Sequence, residues 1–412
     1  MSLYDSPDTD VLGLIATEGT PFEQVIEGVG LEVPRYFFAP FARPPAVDYF
    51  HLRVPADIAA KTRADVAHAL GIMGNGVRVA FVDSGWYRHP YFDEQGYDVA
   101  EVLLAPGVSV PERDESGHGT GESANVLAVA PGCQLLPIKM NSMNTIAAFN
   151  IAVALQPDVI SCSWGTHSPF ELSAADMELS ASVAEGVAAG ITVIFAAGNG
   201  HAGFPGQHPD VISAGGAYID ENGAMQASNY ASGFMSQIFQ GRRVPDVCGL
   251  VGVRPKATYI MLPVDPGCNI DTGSIGVFPD GDGTAPDDGW AAFSGTSAAC
   301  PQIAGAAALI RQVAPSLPPI GIKFALMSSS RDVVDGFCSP VGGVHNGLPA
   351  APGPDDATGS GLVDAFDAVV SGYWLGQQFE LTKPVMEAAG TASMSGGAYG
   401  TRITARPFGY AV

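Results

Sequence analysis

Apolar positions in this chain are grouped into short segments separated by longer, mixed ones. Four runs are apolar almost throughout and rich in β-branched residues, and between them lie helical patterns, including Thr145–Leu155 and Leu172–Ala189. Strands that are apolar on both faces are typical of parallel sheets covered by helices. The four predicted strands are Val77–Val82, Asp158–Cys162, Ile191–Ala196 and Val211–Ala214.

Strands that alternate with helices predict an α/β fold. We expect a three-layer α/β/α sandwich with a mainly parallel central sheet and right-handed crossovers. In such sheets, ligands bind at the carboxyl ends of the strands. Asp83, Ser163 and Asn199 each come just after a predicted strand, and we therefore expect them at the functional edge.

The two ends of the chain have a different pattern. Residues 1–72 contain a predicted strand at Asp10–Thr17, a short helix at Pro21–Gly28 and a strand at Tyr49–Val54. Residues 376–412 are rich in Gly, Ser and Thr and predict a loosely structured tail. We therefore expect an N-terminal extension or propeptide-like segment over 1–72, one main domain over 73–375, and a tail over 376–412.

The charge balance limits the partners. The 412 residues include 42 acidic and 19 basic side chains, for a formal net charge of −23. Such a surface repels phosphate groups, so neither nucleic acid nor an anionic membrane is an expected partner. No uninterrupted apolar run reaches the length of a membrane-spanning helix.

The cysteines and the N-terminal residues indicate the cellular compartment in which the protein is expected. The six cysteines are scattered without a C-x-x-C pair, which argues against a zinc ribbon or a redox motif. Their even number is compatible with disulfide bonds. The first residues, MSLYDSPDTD, have no basic and apolar leader pattern. We expect cytoplasmic residence, and secretion stays open if a leader was trimmed.

Three residues have the chemistry of a hydrolase. Asp83 ends an apolar strand, His118 lies between glycines, and Ser297 precedes an apolar helix. Each alone has an ordinary interpretation, such as a turn aspartate, a loop histidine or a helix-capping serine. In the order Asp, His, Ser they supply an orienting carboxylate, a base and a nucleophile.

The surrounding residues resemble one family. The segments VAFVDSG, GHGTG and GTSAACPQIAG are similar to the Asp, His and Ser motifs of the subtilisin-like serine proteases, the subtilases. The similarity covers about residues 73–372, with supporting segments DVISCSWG, IFAAGNG, FPGQHPDVISAGG and ATGSGLVDAFDAV, the last expected as the closing helix. The resemblance implies a serine endopeptidase without a required cofactor. Its catalytic residues would be Asp83, His118, Ser297 and, in the oxyanion hole, Asn199.

The resemblance also implies where a peptide or protein substrate binds. The backbone of Ser163, Trp164 and Gly165 would pair with the substrate. Gly203 would lie at the base of the S1 pocket and leave room for a large apolar P1 side chain. One wall of that pocket would be formed by Ala196, Ala197 and Gly198.

Two features depart from the family pattern. An insertion at about 255–290 separates the strand segments from the serine motif and is a candidate lid. Within it, Asp280–Asp288 (DGDGTAPDD) has alternating carboxylates like a calcium loop but lacks the EF-hand register. A structural calcium ion and a solvated acidic loop are both compatible with this segment. Cys300, near the nucleophile, is expected to pack rather than react.

Two other functions are compatible with the same motifs. The first is a dedicated enzyme that matures or cyclises one peptide precursor. The second is a catalytically inactive binding protein on the same fold, which the intact Asp83, His118, Ser297 and Asn199 disfavour. The oligomeric state is not indicated by the sequence.

Overall fold

The computed structural model describes residues 41–277 and 281–395. Most of the described chain is organised around a nine-stranded sheet with the strand order β11-β10-β8-β6-β2-β5-β3, in which β14 also pairs with β10 and β4 with β5. All of these pairs are parallel except β10–β11. The mainly parallel sheet predicted from the sequence is confirmed. Its strands are β2 (Arg78–Asp83), β3 (Asp98–Val99), β4 (Leu103–Leu104), β5 (Gln134–Lys139), β6 (Val159–Cys162), β8 (Thr192–Ala196), β10 (Ile212–Ile219), β11 (Met225–Ala227) and β14 (Val247–Leu250).

Three smaller sheets flank it. A three-stranded sheet has the order β1-β15-β16, and two pairs are β7–β9 and β12–β13. These strands are β1 (Leu52–Arg53), β7 (Thr166–His167), β9 (Gly203–Phe204), β12 (Phe234–Met235), β13 (Arg243–Val244), β15 (Ile260–Pro263) and β16 (Trp290–Phe293).

Helices cover both faces of the large sheet. They are α1 (Ala56–Lys61), α2 (Ala64–Ala69), α3 (Pro90–Gln95), α4 (His118–Val129), α5 (Thr145–Ala154), α6 (Ala174–Ala188), α7 (Asn269–Val277), α8 (Thr296–Val313), α9 (Pro319–Ser329) and α10 (Ala365–Ser395). The helices predicted at 145–155 and 172–189 are present as α5 and α6. Ser173 and Asp176 form a capping box that starts α6.

Alternate residues of β2 belong to different cores, which is the physical reason for its continuous apolar sequence. Val79 and Phe81 pack in the cluster that contains residues of α4 and α8. Ala80 and Val82 pack in the cluster that contains residues of α5 and α6. Because side chains alternate across a strand, both faces of β2 are buried and both must be apolar. The sheet therefore lies between two helical layers.

The described part of the N-terminal segment packs on the main domain. Leu52 and Arg53 of β1 pair in parallel with Ile260 and Met261 of β15. Leu52 and Ile58 belong to the same core cluster as Val79 and Phe81 of β2. Residues 52–69 thus pack on the main domain, the choice between a retained extension and a propeptide-like segment stays a prediction, and the elements predicted at 10–17 and 21–28 lie outside the described residues.

The C-terminal helix differs from the sequence prediction. α10 begins at Ala365, so residues 357–364 of the predicted closing helix are loop, and it continues to Ser395. Residues 376–395 were expected to be loosely structured. The scattered Gly, Ser and Thr of this segment favour a loop, but the Gln, Glu, Leu, Met and Ala residues between them favour a helix. Within the described ranges, no helix is both long and apolar enough to span a membrane.

Candidate active site

Asp83 and His118 form a buried pair at the carboxyl end of β2. Asp83 is the last residue of β2, and His118 is the first residue of α4. Oδ1 of Asp83 lies 2.6 Å from Nδ1 of His118, and each side chain is 1% exposed. A carboxylate accepts the proton of Nδ1–H, which leaves the basic lone pair of a neutral imidazole on Nε2. The pair is therefore a base with a defined tautomer.

Glycines allow this close approach. A Cβ atom on Gly119 would lie 2.2 Å from the carbonyl oxygen of Gly85 and 3.1 Å from Cβ of Asp83. Since no side chain fits there, the first turn of α4 can rest directly on the end of β2 only with glycine at this position. The motif glycine next to His118 thus sets the position of the imidazole.

Ser297 lies in the first turn of α8. Its Oγ donates to the carbonyl oxygen of Ser163 at 3.2 Å, and Oγ of Ser163 donates to the carbonyl oxygen of Ser297 at 2.8 Å. Ser163 follows β6, which pairs with β2. Since β2 and β6 are parallel, and His118 contacts Asp83 at the end of β2 while Ser297 contacts Ser163 after β6, Ser297 and His118 lie at the same edge of the sheet.

Asn199 follows β8 and contacts the turn before Ser297. Its Oδ1 accepts hydrogen bonds from the backbone N–H of Thr296 at 2.8 Å and from Oγ1 of Thr296 at 3.1 Å. With Oδ1 as the acceptor, Nδ2 is the donor atom of this amide. A Cβ on Gly295 would lie only 2.9 Å from Nδ2, so glycine is needed for this contact. A donor thus lies beside a helix N-terminus, where negative charge is stabilised.

The predicted substrate strand follows β6, next to this site. The side chain of Trp164 is 5% exposed, and its Nε1 donates to the carbonyl oxygen of Val82 at 2.9 Å. Trp164 therefore anchors the strand, and its indole ring is not available to a substrate. One face of Gly165 also packs closely, since a Cβ there would lie 2.6 Å from the carbonyl oxygen of Phe204.

The predicted wall of the pocket, Ala196 to Gly198, is buried next to Asn199. Gly203 lies against this wall, and a Cβ on Gly203 would be 2.5 Å from the carbonyl oxygen of Ala197. The glycine is thus required by close packing of backbone on backbone. Its missing side chain does not by itself open space for a P1 group.

Two histidines beside Asn199 were not singled out from the sequence. Nδ1 of His201 accepts from the backbone N–H of Asn199 at 3.2 Å, and its ring lies 6.2 Å from that of His167. Burial, with a smaller effect from His167, lowers the pKa of His201 to about 4. The imidazole is therefore neutral at neutral pH. No motif includes these histidines, so only their spatial position reveals them.

All six cysteines are buried free thiols. Burial raises the pKa of Cys300 to about 12, and its Sγ lies 3.4 Å from the carbonyl oxygen of Cys162. A thiol that does not ionise near neutral pH is a weak nucleophile. Cys300 is therefore a packing residue, as predicted.

In the described part of the acidic loop, the carboxylates of Asp282 and Asp288 accept hydrogen bonds from the protein itself. Oδ1 of Asp282 accepts from N–H and Oγ1 of Thr284, and its Oδ2 accepts from the N–H of Ala292. The carboxylate of Asp288 accepts from two backbone N–H groups of its own loop. These hydrogen bonds stabilise the turn, and a structural calcium ion in this loop stays a prediction. Among residues 41–277 and 281–395, no group of three or more acidic, His or Cys side chains is arranged to hold a metal ion.

Comparison with known proteins agrees with this geometry. The model of the subtilase family matches residues 74–361. Subtilisin Savinase from Lederbergia lenta is 27% identical over 289 residues, which are 66% of this chain and 89% of that protein. Alkaline elastase YaB from Bacillus sp. (strain YaB) is 26% identical over 293 residues, which are 66% of this chain but only 64% of the elastase.

Two solved structures have the same fold. Fervidolysin from Fervidobacterium pennivorans, a keratinolytic enzyme related to subtilisin, superposes with a TM-score of 0.55 at 19% identity, over 80% of this chain and 51% of fervidolysin. Pseudomonas sedolisin, a serine-carboxyl proteinase, gives a TM-score of 0.58 at 18% identity, over 79% of this chain and 98% of sedolisin. With the family model covering well over half of the residues, this chain belongs to the subtilase family of subtilisin-like serine proteases.

Proposed function

We propose that this chain hydrolyses internal peptide bonds of peptides or proteins through an acyl-enzyme on Ser297. The observation that carries the proposal is the 2.6 Å contact between Asp83 Oδ1 and His118 Nδ1. Nε2 of His118 would take the proton from Ser297 Oγ as the oxygen attacks the carbonyl carbon. The imidazolium would then protonate the departing amine, and a water molecule would release the acyl group by the same route.

The oxyanion of the tetrahedral intermediate would be bound by Nδ2 of Asn199 and the backbone N–H of Ser297. The contact between Asn199 Oδ1 and Thr296 N–H supports this role, because it fixes which end of the amide is the donor. Preorganised donors of this kind stabilise charge that develops only in the transition state.

On the substrate side, we propose that the backbone of Ser163–Gly165 pairs with the peptide and that Ala196–Gly198 and Gly203 surround a large apolar P1 side chain. The support is the position of both segments at the same edge of the sheet, joined by pairing of β7 with β9. Backbone pairing binds many sequences, so specificity would come from the P1 pocket.

The function is tested with a peptide-library cleavage profile of the wild type beside Ser297→Ala, and with covalent labelling by a fluorophosphonate. We expect cleavage and labelling of the wild type and neither in the variant. Absence of labelling in folded wild-type protein would instead support an inactive binding protein.

A second candidate is a maturation protease or macrocyclase for one precursor. The observation that favours it is the position of the insertion beside the candidate base, where the N–H of Asn269 donates to the carbonyl oxygen of Glu115 at 2.9 Å. Casein degradation would support broad proteolysis, whereas activity on one precursor alone would support maturation.

Cytoplasmic residence stays a prediction, as does removal of the N-terminal segment. Intact-mass measurement beside Ser297→Ala tests that removal.

A further inference from the structure

We propose that Asp114 is a positioning residue for the Asp83–His118 pair and that the insertion, through Asp265, holds Asp114 in place. The inference rests on the proposed function, because it assigns Asp114 a role in positioning His118, the proposed base. Asp114 belongs to no motif recognised in the sequence, and its side chain is completely buried.

The carboxylate of Asp114 contacts the chain on both sides of His118. Its Oδ1 accepts from the backbone N–H of Gly117 at 3.0 Å, and its Oδ2 accepts from N–H and Oγ1 of Thr120 at 2.8 and 2.7 Å. Gly117 and Thr120 flank His118 at the start of α4. One carboxylate therefore fixes the turn from which the imidazole projects.

The same carboxylate contacts the residue next to Asp83. Oγ of Ser84 donates to Oδ1 of Asp114 at 2.8 Å and accepts from the N–H of Gly119 at 2.9 Å. The N–H of Ser84 in turn donates to Oδ1 of Asp83 at 2.7 Å. Asp114 thus connects the end of β2 to the start of α4, which are the two elements that carry the pair.

The insertion holds Asp114 by its backbone. Oδ2 of Asp265 accepts from the N–H of Asp114 at 2.8 Å and from Nε of Arg113 at 2.6 Å. At the start of α7, the N–H of Ile270 donates to the carbonyl oxygen of Ser116 at 3.1 Å. A Cβ on Gly117 would lie 2.3 Å from Sγ of Cys268, so the contact is close. Residues 265–270 therefore hold the loop before His118 in place.

The chemistry of these contacts requires a carboxylate. Four groups approach the carboxylate of Asp114, and all are donors. Two are the backbone N–H groups of Gly117 and Thr120. The other two are the hydroxyls of Ser84 and Thr120, which accept from the N–H groups of Gly119 and Tyr87 and donate to Asp114. An asparagine side chain has one acceptor atom and one donor atom, so its NH₂ group would face two donors. Replacement by Asn would therefore keep the volume and disrupt about half of the contacts.

The experiment compares Asp114→Asn with wild type on one peptide substrate. We expect kcat to fall about 10-fold or more while KM changes less than about twofold, because the groups that react move but substrate contacts do not. Burial raises the pKa of Asp114, but its four donors require the ionised form. The acid limb of the pH profile of kcat/KM should therefore move to lower pH in the variant, since that negative charge near His118 is lost. Asp265→Asn should show the same pattern with a smaller loss.

The matched control is Asp355→Asn. Oδ1 of Asp355 accepts from the N–H of Ala357 and from N–H and Oγ1 of Thr358, so this aspartate organises a loop in the same way without a described contact to the pair. It should lower the melting temperature without changing kcat or the pH profile. A loss of kcat in Asp355→Asn equal to that in Asp114→Asn would overturn the proposal, as would unchanged kcat in Asp114→Asn.

If Asp114→Asn does not fold, Thr120→Val and Ser84→Ala replace it, each removing one donor to the carboxylate. We expect each to lower kcat by several-fold and their effects to be non-additive in the double variant, because both act through one carboxylate. Wild-type kinetics in both would contradict the proposal. Failure of the wild type to cleave or label would instead refute the proposed function.

Discussion

Oδ1 of Asp83 is shared between Nδ1 of His118, at 2.6 Å, and the backbone N–H of Ser84, at 2.7 Å. One oxygen therefore orients the imidazole and is itself oriented by the main chain. A carboxylate held in this way has little freedom to rotate away from the ring.

Asp83→Asn tests the orientation of the base. The amide would place a donor or a weaker acceptor beside Nδ1 and favour the tautomer with the proton on Nε2. We expect kcat to fall by about four orders of magnitude, with a small change in melting temperature. Asp93→Asn is the control, since the exposed carboxylate of Asp93 pairs with Arg88 alone among the described residues. Activity within 10-fold of wild type would contradict the role of Asp83.

Asn199→Asp tests the oxyanion donor. The aspartate keeps an acceptor for the N–H of Thr296 but replaces Nδ2–H with a negatively charged oxygen. We expect kcat to fall by at least about 10²- to 10³-fold, the loss that follows removal of such a donor in subtilisin itself. The melting temperature should stay closer to wild type than that of Asn199→Ala, which also loses the acceptor. Equal kcat in wild type and Asn199→Asp would remove Asn199 from the mechanism.

Gly119→Ala tests the close approach of α4 to β2. A methyl group would lie 2.2 Å from the carbonyl oxygen of Gly85. We expect a loss of about 1–3 kcal/mol of unfolding free energy, measured in urea, together with lower kcat because His118 is displaced. Gly342→Ala is the control, because no atom lies within 4 Å of its added Cβ. Equal stability of the two variants would show that α4 is not held as described.

The insertion should make stability depend on pH. Burial raises the pKa of Asp265 to about 6 and that of Asp271 to about 7. Since both values lie above that of an unfolded aspartate, the folded protein favours the protonated forms. The associated stability is present at low pH and lost as pH rises through about 6 and 7. In urea titrations, Asp271→Asn should flatten this decline between about pH 4 and pH 7, whereas Asp93→Asn should not. An unchanged slope in Asp271→Asn would contradict this prediction.

The P1 preference is measured with matched peptides that differ at one residue. We expect kcat/KM for P1 Phe or Leu to exceed that for P1 Asp or Gly by 10-fold or more, from the apolar area that a large side chain buries. A preference for Gly or Asp would contradict the apolar pocket and leave the triad intact. It would direct attention to His167 and His201, which lie beside Asn199.

Sequence patterns predicted the sheet because strands such as β2 are buried on both faces and therefore have a continuous apolar signal. Short sequence motifs predicted the candidate catalytic residues Asp83, His118, Ser297 and Asn199. These motifs contain glycines that allow the chain to approach closely at the site. The sequence did not predict α10 beyond residue 375, because Gly, Ser and Thr are scattered among its helix-forming residues and its apolar positions have no clear helical period. β1 lies inside the strand predicted at 49–54, but its partner β15 comes from the opposite half of the chain.

The contacts around the site were less accessible from sequence. Asp114 is four residues before His118 and has no distinctive neighbours, so its role emerges only where the insertion, the end of β2 and the start of α4 meet. The sequence shows that residue 203 is glycine, but it does not show the carbonyl oxygen of Ala197 whose close approach requires glycine there. Long-range contacts of this kind leave no periodic signal.

The parallel pairing of β1 with β15 has a consequence for biosynthesis. Leu52 of β1 pairs with Ile260 of β15, so β1 has no partner strand until residue 260 has been synthesised, and Ser297 follows later still. Non-local pairings of this type form slowly. A protease synthesised in this order has no nucleophile while β1 is still unpaired and exposed to cleavage.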